Sequence, residues 1–229
     1  MFSPKEIARL VDISAVRADS TAGDVKNIAD AAKEYGFICA FAMPSLTGYL
    51  KQELAGADGI MLGGVVGFPS GSETTATKVF QAMELKATGC DEIDMVINIG
   101  MLKSGVEDEV IDDIRAVKAA VEPLPLKVII EVALLTDEEI VRASRMVREA
   151  GADFVKTGTG WAGSTTMHHI EVIKNTVGDT IKLKVAGGVR DLDTLTRMKI
   201  AGVSRFGIGY KSALSIMEEC IAGSKEKNK

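Results

Sequence analysis

Two lysines in apolar surroundings are the residues of this sequence best suited to chemistry. Lys156 ends the run Ala152-Asp-Phe-Val-Lys, and Lys184 lies in Ile181-Lys-Leu-Lys-Val-Ala, just ahead of Gly187-Gly188. An ammonium is costly to bury, so a lysine in such a run is either paired or used. A free lysine, with a pKa near about 10.4, is almost fully protonated at neutral pH. Burial and a neighbouring cation both disfavour the charged form and leave an amine able to attack a carbonyl carbon. Lys156 is the expected nucleophile and Lys184 the expected neighbouring cation. The bland alternative is a structural Lys156 paired with Glu131 or Asp94. Lys182 competes with Lys184, because residues two apart on a strand share a face. The Val-Ala-Gly-Gly context favours Lys184.

Short apolar runs predict the strands that must carry these groups: Ala8–Ile13, Gly36–Ala42, Ile60–Gly67, Glu92–Asn98, Lys127–Val132, Phe154–Lys156, Lys182–Val185 and Val203–Gly207. Between them lie stretches with helical periodicity. Thr21 to Tyr35 opens on Thr-Ala-Gly-Asp. Glu73 to Thr88 places Ala76, Val79, Phe80, Met83 and Ala87 on one face and is followed by Gly89. Val106 to Val121 has acids early and bases late, as the helix dipole favours, and Pro123 stops it. Thr136-Asp-Glu-Glu resembles a capping box for a helix ending near Ala150-Gly151. Asp191 to Ala201 and Ser212 to Ile221 complete the series, and residues 223–229 are expected to fray.

Eight strands alternating with helices predict an α/β fold, a (β/α)8 TIM barrel formed by residues 1–229 as a single domain. An open doubly wound sheet is the competitor, but no Gly-x-Gly-x-x-Gly follows an early strand. In a barrel the reactive groups lie at the C-terminal ends of the strands. Asp12 ends the first strand, Asp94 and Asn98 lie in the fourth, and Glu131 ends the fifth. Alternation puts Asp94, Val96 and Asn98 on one face, with Met95 and Ile97 on the other. The expected mouth therefore holds carboxylate, amide and two ammonium groups, with Asp12 either in a proton relay or structural. Barrels often cradle phosphate beyond strands seven and eight, on glycine N–H groups and a helix N-terminus. Gly160, Gly187, Gly188, Gly207 and Gly209 are the candidates.

Composition narrows the partners. A net charge of −5 argues against a general nucleic-acid or anionic-membrane surface. No run reaches the roughly 18 apolar residues of a membrane span, and the N-terminus lacks a secretion-signal core. Cys39, Cys90 and Cys220 are widely spaced and the histidines, His168 and His169, are adjacent, so no zinc pattern is present. A cytoplasmic protein with reduced cysteines, no metal and no cofactor is expected. The two histidines, Lys78, Lys103 and the methionines at 61, 95 and 101 are assigned no chemical role, and Cys39 is read as a buried apolar residue.

Four segments then carry a family resemblance. Cys90-Asp-Glu-Ile-Asp-Met-Val-Ile-Asn-Ile-Gly-Met-Leu-Lys-Ser-Gly105 resembles the fourth-strand motif of deoxyribose-phosphate aldolases. Gly67-Phe-Pro-Ser-Gly71 with Thr75-Ala-Thr-Lys-Val79 is similar to that family's segment after strand three. Gly151-Ala-Asp-Phe-Val-Lys-Thr-Gly-Thr-Gly160 and Leu183-Lys-Val-Ala-Gly-Gly-Val-Arg190 resemble the segments bearing its two lysines. The resemblance implies a class I aldolase joining acetaldehyde reversibly to glyceraldehyde 3-phosphate, through an imine on Lys156. It further implies that Lys184 lowers the proton affinity of Lys156, that Asp94 assists carbinolamine breakdown, and that the chain forms a homo-oligomer acting on small aldehydes and sugar phosphates.

Three segments depart from the family pattern. Asp12-Ile-Ser-Ala-Val stands where Asp-His-Thr-Leu-Leu is usual, and Cys39 and Pro44 are further apart than in Cys-Val-x-Pro. Gly209-Tyr210 replaces a serine pair that would contact phosphate. Either Lys211 or Ser212 substitutes for it, or the acceptor aldehyde is a different one. The rival classes are a barrel isomerase or lyase without an imine and a sugar-phosphate-binding protein without activity.

Overall fold

The computed structural model describes residues 2–226. Its strands are β1 (Val11–Ala15), β2 (Cys39–Ala42), β3 (Met61–Val66), β4 (Glu92–Val96), β5 (Leu126–Ile129), β6 (Phe154–Lys156), β7 (Lys182–Ala186) and β8 (Arg205–Gly209). They pair in parallel in sequence order, and β8 closes onto β1. The expected TIM barrel is present. The helices are α1 (Pro4–Ala8), α2 (Ala22–Tyr35), α3 (Pro44–Glu53), α4 (Thr75–Thr88), α5 (Ile99–Lys103), α6 (Glu107–Val121), α7 (Asp137–Glu149), α8 (Met167–Val177), α9 (Leu192–Ile200) and α10 (Tyr210–Glu226).

Alternation along the strands builds two cores. Ile93, Met95 and Ile97 join the large cluster between strands and helices, whereas Val96 joins Cys39, Phe41, Val65, Phe68 and Ile129 inside the barrel. The interior side of β4 thus carries Glu92, Asp94 and Val96. Register sets Lys156 of β6 directly beside Lys184 of β7, with Ile129 of β5 on its other side.

Several expected boundaries move for local reasons. Ala8 belongs to α1 rather than to the first strand, because Ser3 and Glu6 form a capping box and Pro4 supplies a first helical residue with fixed φ. Gly36 ends α2 in the left-handed region at φ 74°, so β2 starts only at Cys39. β3 and β8 likewise differ at their ends from the expected spans. Asn98 leaves β4 and caps α5, its side chain accepting from the Met101 N–H. The helix after β8 begins at Tyr210, earlier than Ser212, and runs to Glu226. Residues 223–226 form the last part of this helix, and 227–229 lie outside the described residues.

Candidate active site

Lys156 is the last residue of β6 and is 6% exposed. Its Nζ donates to Asp94 Oδ2 at 2.7 Å, and Lys184 Nζ donates to the same oxygen at 2.6 Å. Lys184 also lies 2.6 Å from Asp12 Oδ2. Two ammonium-bearing chains thus compete for one carboxylate oxygen. Burial pushes the Lys156 amine down, and Lys184 adds to that against the opposing pull of Asp94; the result is a pKa lowered to about 8. Burial alone would raise the Asp94 carboxyl, but Lys156, Lys184 and Lys127 outweigh it and hold Asp94 well below the ordinary carboxylate range. Asp12 is held low in the same way, by Lys127, Lys184 and Arg205 against its burial.

Aromatic and glycine residues shape the space around this centre. The Phe41 ring lies under Lys184, with Nζ 4.2 Å from its centroid. Gly63 makes room for that ring, since a Cβ there would come within 2.3 Å of it. At Gly207 a Cβ would approach Ala186 at 3.1 Å and the Lys184 stem at 3.5 Å. Beyond the strands, Gly187 adopts φ 88°, and a Cβ there would lie 2.7 Å from the Gly163 carbonyl. Thr165 Oγ1 lies 2.7 Å from Thr157 Oγ1 and 2.9 Å from the Ala186 carbonyl, within hydrogen-bond reach of both, and so links the ends of β6 and β7.

A cavity of about 200 Å³ opens over the lysines. All five candidate phosphate glycines, Gly160, Gly187, Gly188, Gly207 and Gly209, line it, together with Ser14, Arg190 and Ser212. Ser212 therefore faces the cavity, whereas Lys211 is not among its lining residues and Tyr210 packs against the outer core. Trp161 roofs one side. Its Nε1–H donates to the Val16 carbonyl at 3.0 Å, and its ring meets Phe68 edge-on at 6.0 Å.

Asp12, Asp94, Lys156 and Lys184 come together as expected, but other residues separate from them. Asn98 caps a helix, so the mouth has no amide from β4. Glu131 does not pair with Lys156; it accepts from the Thr159 N–H and hydroxyl and holds φ 57°. Lys182 lies exposed at the opposite end of β7, stacked 5.4 Å from the Phe154 centroid, which resolves its competition with Lys184. Cys39 is buried in the inner cluster, and burial raises its thiol well above the ordinary range. His168 faces Asp137 on the surface, and Lys103 pairs there with Glu139. Met95 belongs to the outer core, Met61 packs on the inner one, and Met101 is exposed.

Sequence reasoning missed the floor of the barrel. Lys127 binds Glu92 and lies 3.1 Å from Asp12, while Arg205 contacts both Asp12 and Glu92. Alternation offered a signal for Glu92, two residues before Asp94, and for Lys127, two before the inward Ile129. Donor atoms of Asp12, Cys39 and Glu92 lie within 4.8 Å of one another. Lys127 and Arg205 already neutralise these carboxylates, so the floor holds organic cations where a metal would otherwise be considered.

A lysine with lowered proton affinity, an adjacent carboxylate and a second ammonium are the parts an amine-based carbonyl reaction needs. The model of the DeoC/LacD family of aldolases matches residues 7–211. The chain belongs to that family. A deoxyribose-phosphate aldolase of Rhizobium meliloti is 46% identical over 222 residues, which cover 96% of this chain and 90% of the relative. Deoxyribose-phosphate aldolase 2 of Staphylococcus aureus is 43% identical over 218 residues, covering 95% and 98%. Among solved structures, a tetrameric deoxyribose phosphate aldolase from Aeropyrum pernix is 25% identical with a TM-score of 0.81, covering 95% of this chain and 92% of that one. Family membership makes this protein an aldolase, and no described helix is long and apolar enough to cross a membrane.

Proposed function

We propose that this aldolase cleaves 2-deoxy-D-ribose 5-phosphate reversibly to acetaldehyde and D-glyceraldehyde 3-phosphate through an imine on Lys156. The observation that carries the reading is the shared Asp94 oxygen, 2.7 Å from Lys156 and 2.6 Å from Lys184. The neutral Lys156 amine attacks the substrate aldehyde, and the carbinolamine loses water to give a protonated imine. The hydroxyl beyond the adjacent carbon gives up its proton, the carbon–carbon bond breaks, and its electron pair moves into the imine to form an enamine. Protonation of the enamine carbon and hydrolysis release acetaldehyde and restore the amine. Asp94 is positioned to pass protons at Lys156, and Lys184 connects Asp94 to Asp12 as a relay. The protonated imine is the electron sink, so the scheme requires no metal or cofactor.

The phosphate is assigned to the cradle of Gly160, Gly187, Gly188, Gly207 and Gly209, with Arg190 and Ser212 beside it. Ser212 in the cavity wall supports the phosphorylated acceptor despite the loss of the usual serine pair. The three buried free cysteines fit a cytoplasmic setting, and the tetrameric Aeropyrum pernix relative supports a homo-oligomer. One domain, without nucleic-acid or membrane partners, completes the reading.

Borohydride reduction in the presence of acetaldehyde, followed by peptide mass analysis, tests the mechanism. The expected product is an ethylated Lys156. No adduct, or an adduct confined to another lysine, would falsify the imine assignment. Comparing glyceraldehyde 3-phosphate with glyceraldehyde as acceptor tests the phosphate site; equal kcat/KM values would point to an unphosphorylated acceptor instead.

A further inference from the structure

Ionisable side chains are sealed inside this barrel from nearly every strand. Asp12 comes from β1, Glu92 and Asp94 from β4, Lys127 from β5, Lys156 from β6, Lys184 from β7 and Arg205 from β8; none is more than 8% exposed. β2 adds only the Cys39 thiol, kept neutral by burial, and β3 adds no ionisable group. Outside the seal, Lys182 is exposed at the base, and Arg17 and Arg190 are exposed at the mouth. Glu131 is buried as well, but it accepts from the Thr159 N–H and hydroxyl and forms no ion pair with these groups, so it stands apart from their network.

The three carboxylates of this ion-paired network, Asp12, Glu92 and Asp94, are matched by Lys127, Lys184 and Arg205. Lys156 is the fourth basic group of the network, which is neutral when its amine is uncharged. We propose that Lys127 and Glu92 are positioning residues that set the protonation of Lys156 through this charge balance, although neither is paired with it. The proposal rests on the imine reading of Lys156 and deepens it.

The distribution of contacts explains why Lys156, rather than another base, gives up the proton. Lys127 faces Asp12, Glu92 and, at 3.8 Å, Asp94. Arg205 contacts Asp12 and Glu92, and Lys184 contacts Asp12 and Asp94. Among the described residues, Lys156 is paired with Asp94 alone, through an oxygen that Lys184 also holds. A buried cation is kept charged by its carboxylates, so the group with the weakest share deprotonates first. Burial and Lys184 are the leading causes that lower Lys156, and Lys127 contributes in the same direction. The floor is thus electrically continuous with the mouth.

Removing either floor charge should move the reactive lysine in opposite directions. Lys127→Met deletes a cation, so the Lys156 ammonium becomes the third counter-charge and is retained to higher pH. Glu92→Gln deletes an anion and expels the ammonium at lower pH. Acetaldehyde trapping by cyanoborohydride, measured as a rate on Lys156 across pH, reads the effect directly. The rising limb should shift up by about one unit in Lys127→Met and down by about one unit in Glu92→Gln. The double variant, with unchanged net charge, should return it to the wild-type position.

A purely structural floor would lower the amplitude in all three without moving the limb. If Lys127→Met does not fold, the downward shift in Glu92→Gln and its reversal in the double variant remain decisive. A wild-type adduct with unshifted limbs, or limbs shifted in the same direction, overturns the balance alone. An absent wild-type adduct overturns the imine reading and the balance with it.

Discussion

Lys78 and Lys156 are both buried and both donate to an aspartate, yet only one is built to react. Lys78 is 0% exposed on the interior face of α4; its Nζ lies 2.6 Å from Asp113 and 3.1 Å from the Val96 carbonyl. Lys156 is 2.7 Å from Asp94 and lines a cavity. The contrast lies in the carboxylate. Asp113 pairs with Lys78 alone among the described residues, whereas Asp94 is shared with Lys184 and approached by Lys127. Burial plus a carboxylate therefore makes an anchor. Burial, a carboxylate already claimed by another cation, and an open cavity make a nucleophile.

Substituting methionine at each lysine should break the two in different ways. Lys156→Met should remove at least about 10⁴-fold of kcat, because the other amine in the cavity, Lys184, is held between Asp12 and Asp94, while circular dichroism stays native. Lys78→Met should leave kcat per folded molecule unchanged but strand Asp113 in the helical layer, costing about 3–5 kcal/mol of stability by denaturant melts. An active Lys156→Met enzyme, or an inactive but stable Lys78→Met enzyme, would erase the distinction.

Lys184→Leu probes what the shared carboxylate contributes. Without Lys184, only the more distant Lys127 competes with the Lys156 ammonium for Asp94, so the Lys156 pKa should rise from about 8 toward the ordinary lysine value. The reactive neutral form is populated above that pKa and lost below it, so imine formation at pH 7 should slow by about 10²-fold. Its pH–rate limb should move to higher pH. An unchanged profile would reduce Lys184 to a structural contact like that of Lys78.

Much of this was legible in the sequence, and the omissions have a pattern. Alternation and strand count located the barrel, the inward face of β4 and the adjacency of Lys156 and Lys184. Burial of lysine alone is a weak signal, because Lys78 and Lys127 are just as buried and neither is followed by a glycine-rich turn. The floor was hidden because its contacts join residues far apart in sequence, Asp12 with Lys127 and with Arg205, and closure of β8 onto β1 is what brings them together. Asn98 and Glu131 were misplaced at strand ends, where local backbone needs won: one caps a helix, and the other takes a left-handed turn. Trp161 gives no signal in the sequence, because a lone aromatic in a glycine-rich loop shows no period and its partners Val16 and Phe68 come from other loops.

Access is the remaining difference between the two lysines, and Trp161 sets it. The indole bridges the mouth from the β6 loop to the carbonyl of Val16, on the wall of the cavity that Lys156 opens into. Trp161→Phe keeps an aromatic roof but deletes the donor. A half-exposed neutral hydrogen bond contributes about 0.5–1.5 kcal/mol, so the cost is bounded at about tenfold. It should fall on KM for the larger acceptor, which needs the roof, while acetaldehyde trapping on Lys156 stays within about twofold of wild type. Trp161 is the sole tryptophan of the chain, so wild-type emission should also change as acceptor saturates the site. Equal losses for acetaldehyde and acceptor would mean that the indole acts on the lysine itself, and the access half of the comparison would give way to electrostatics alone.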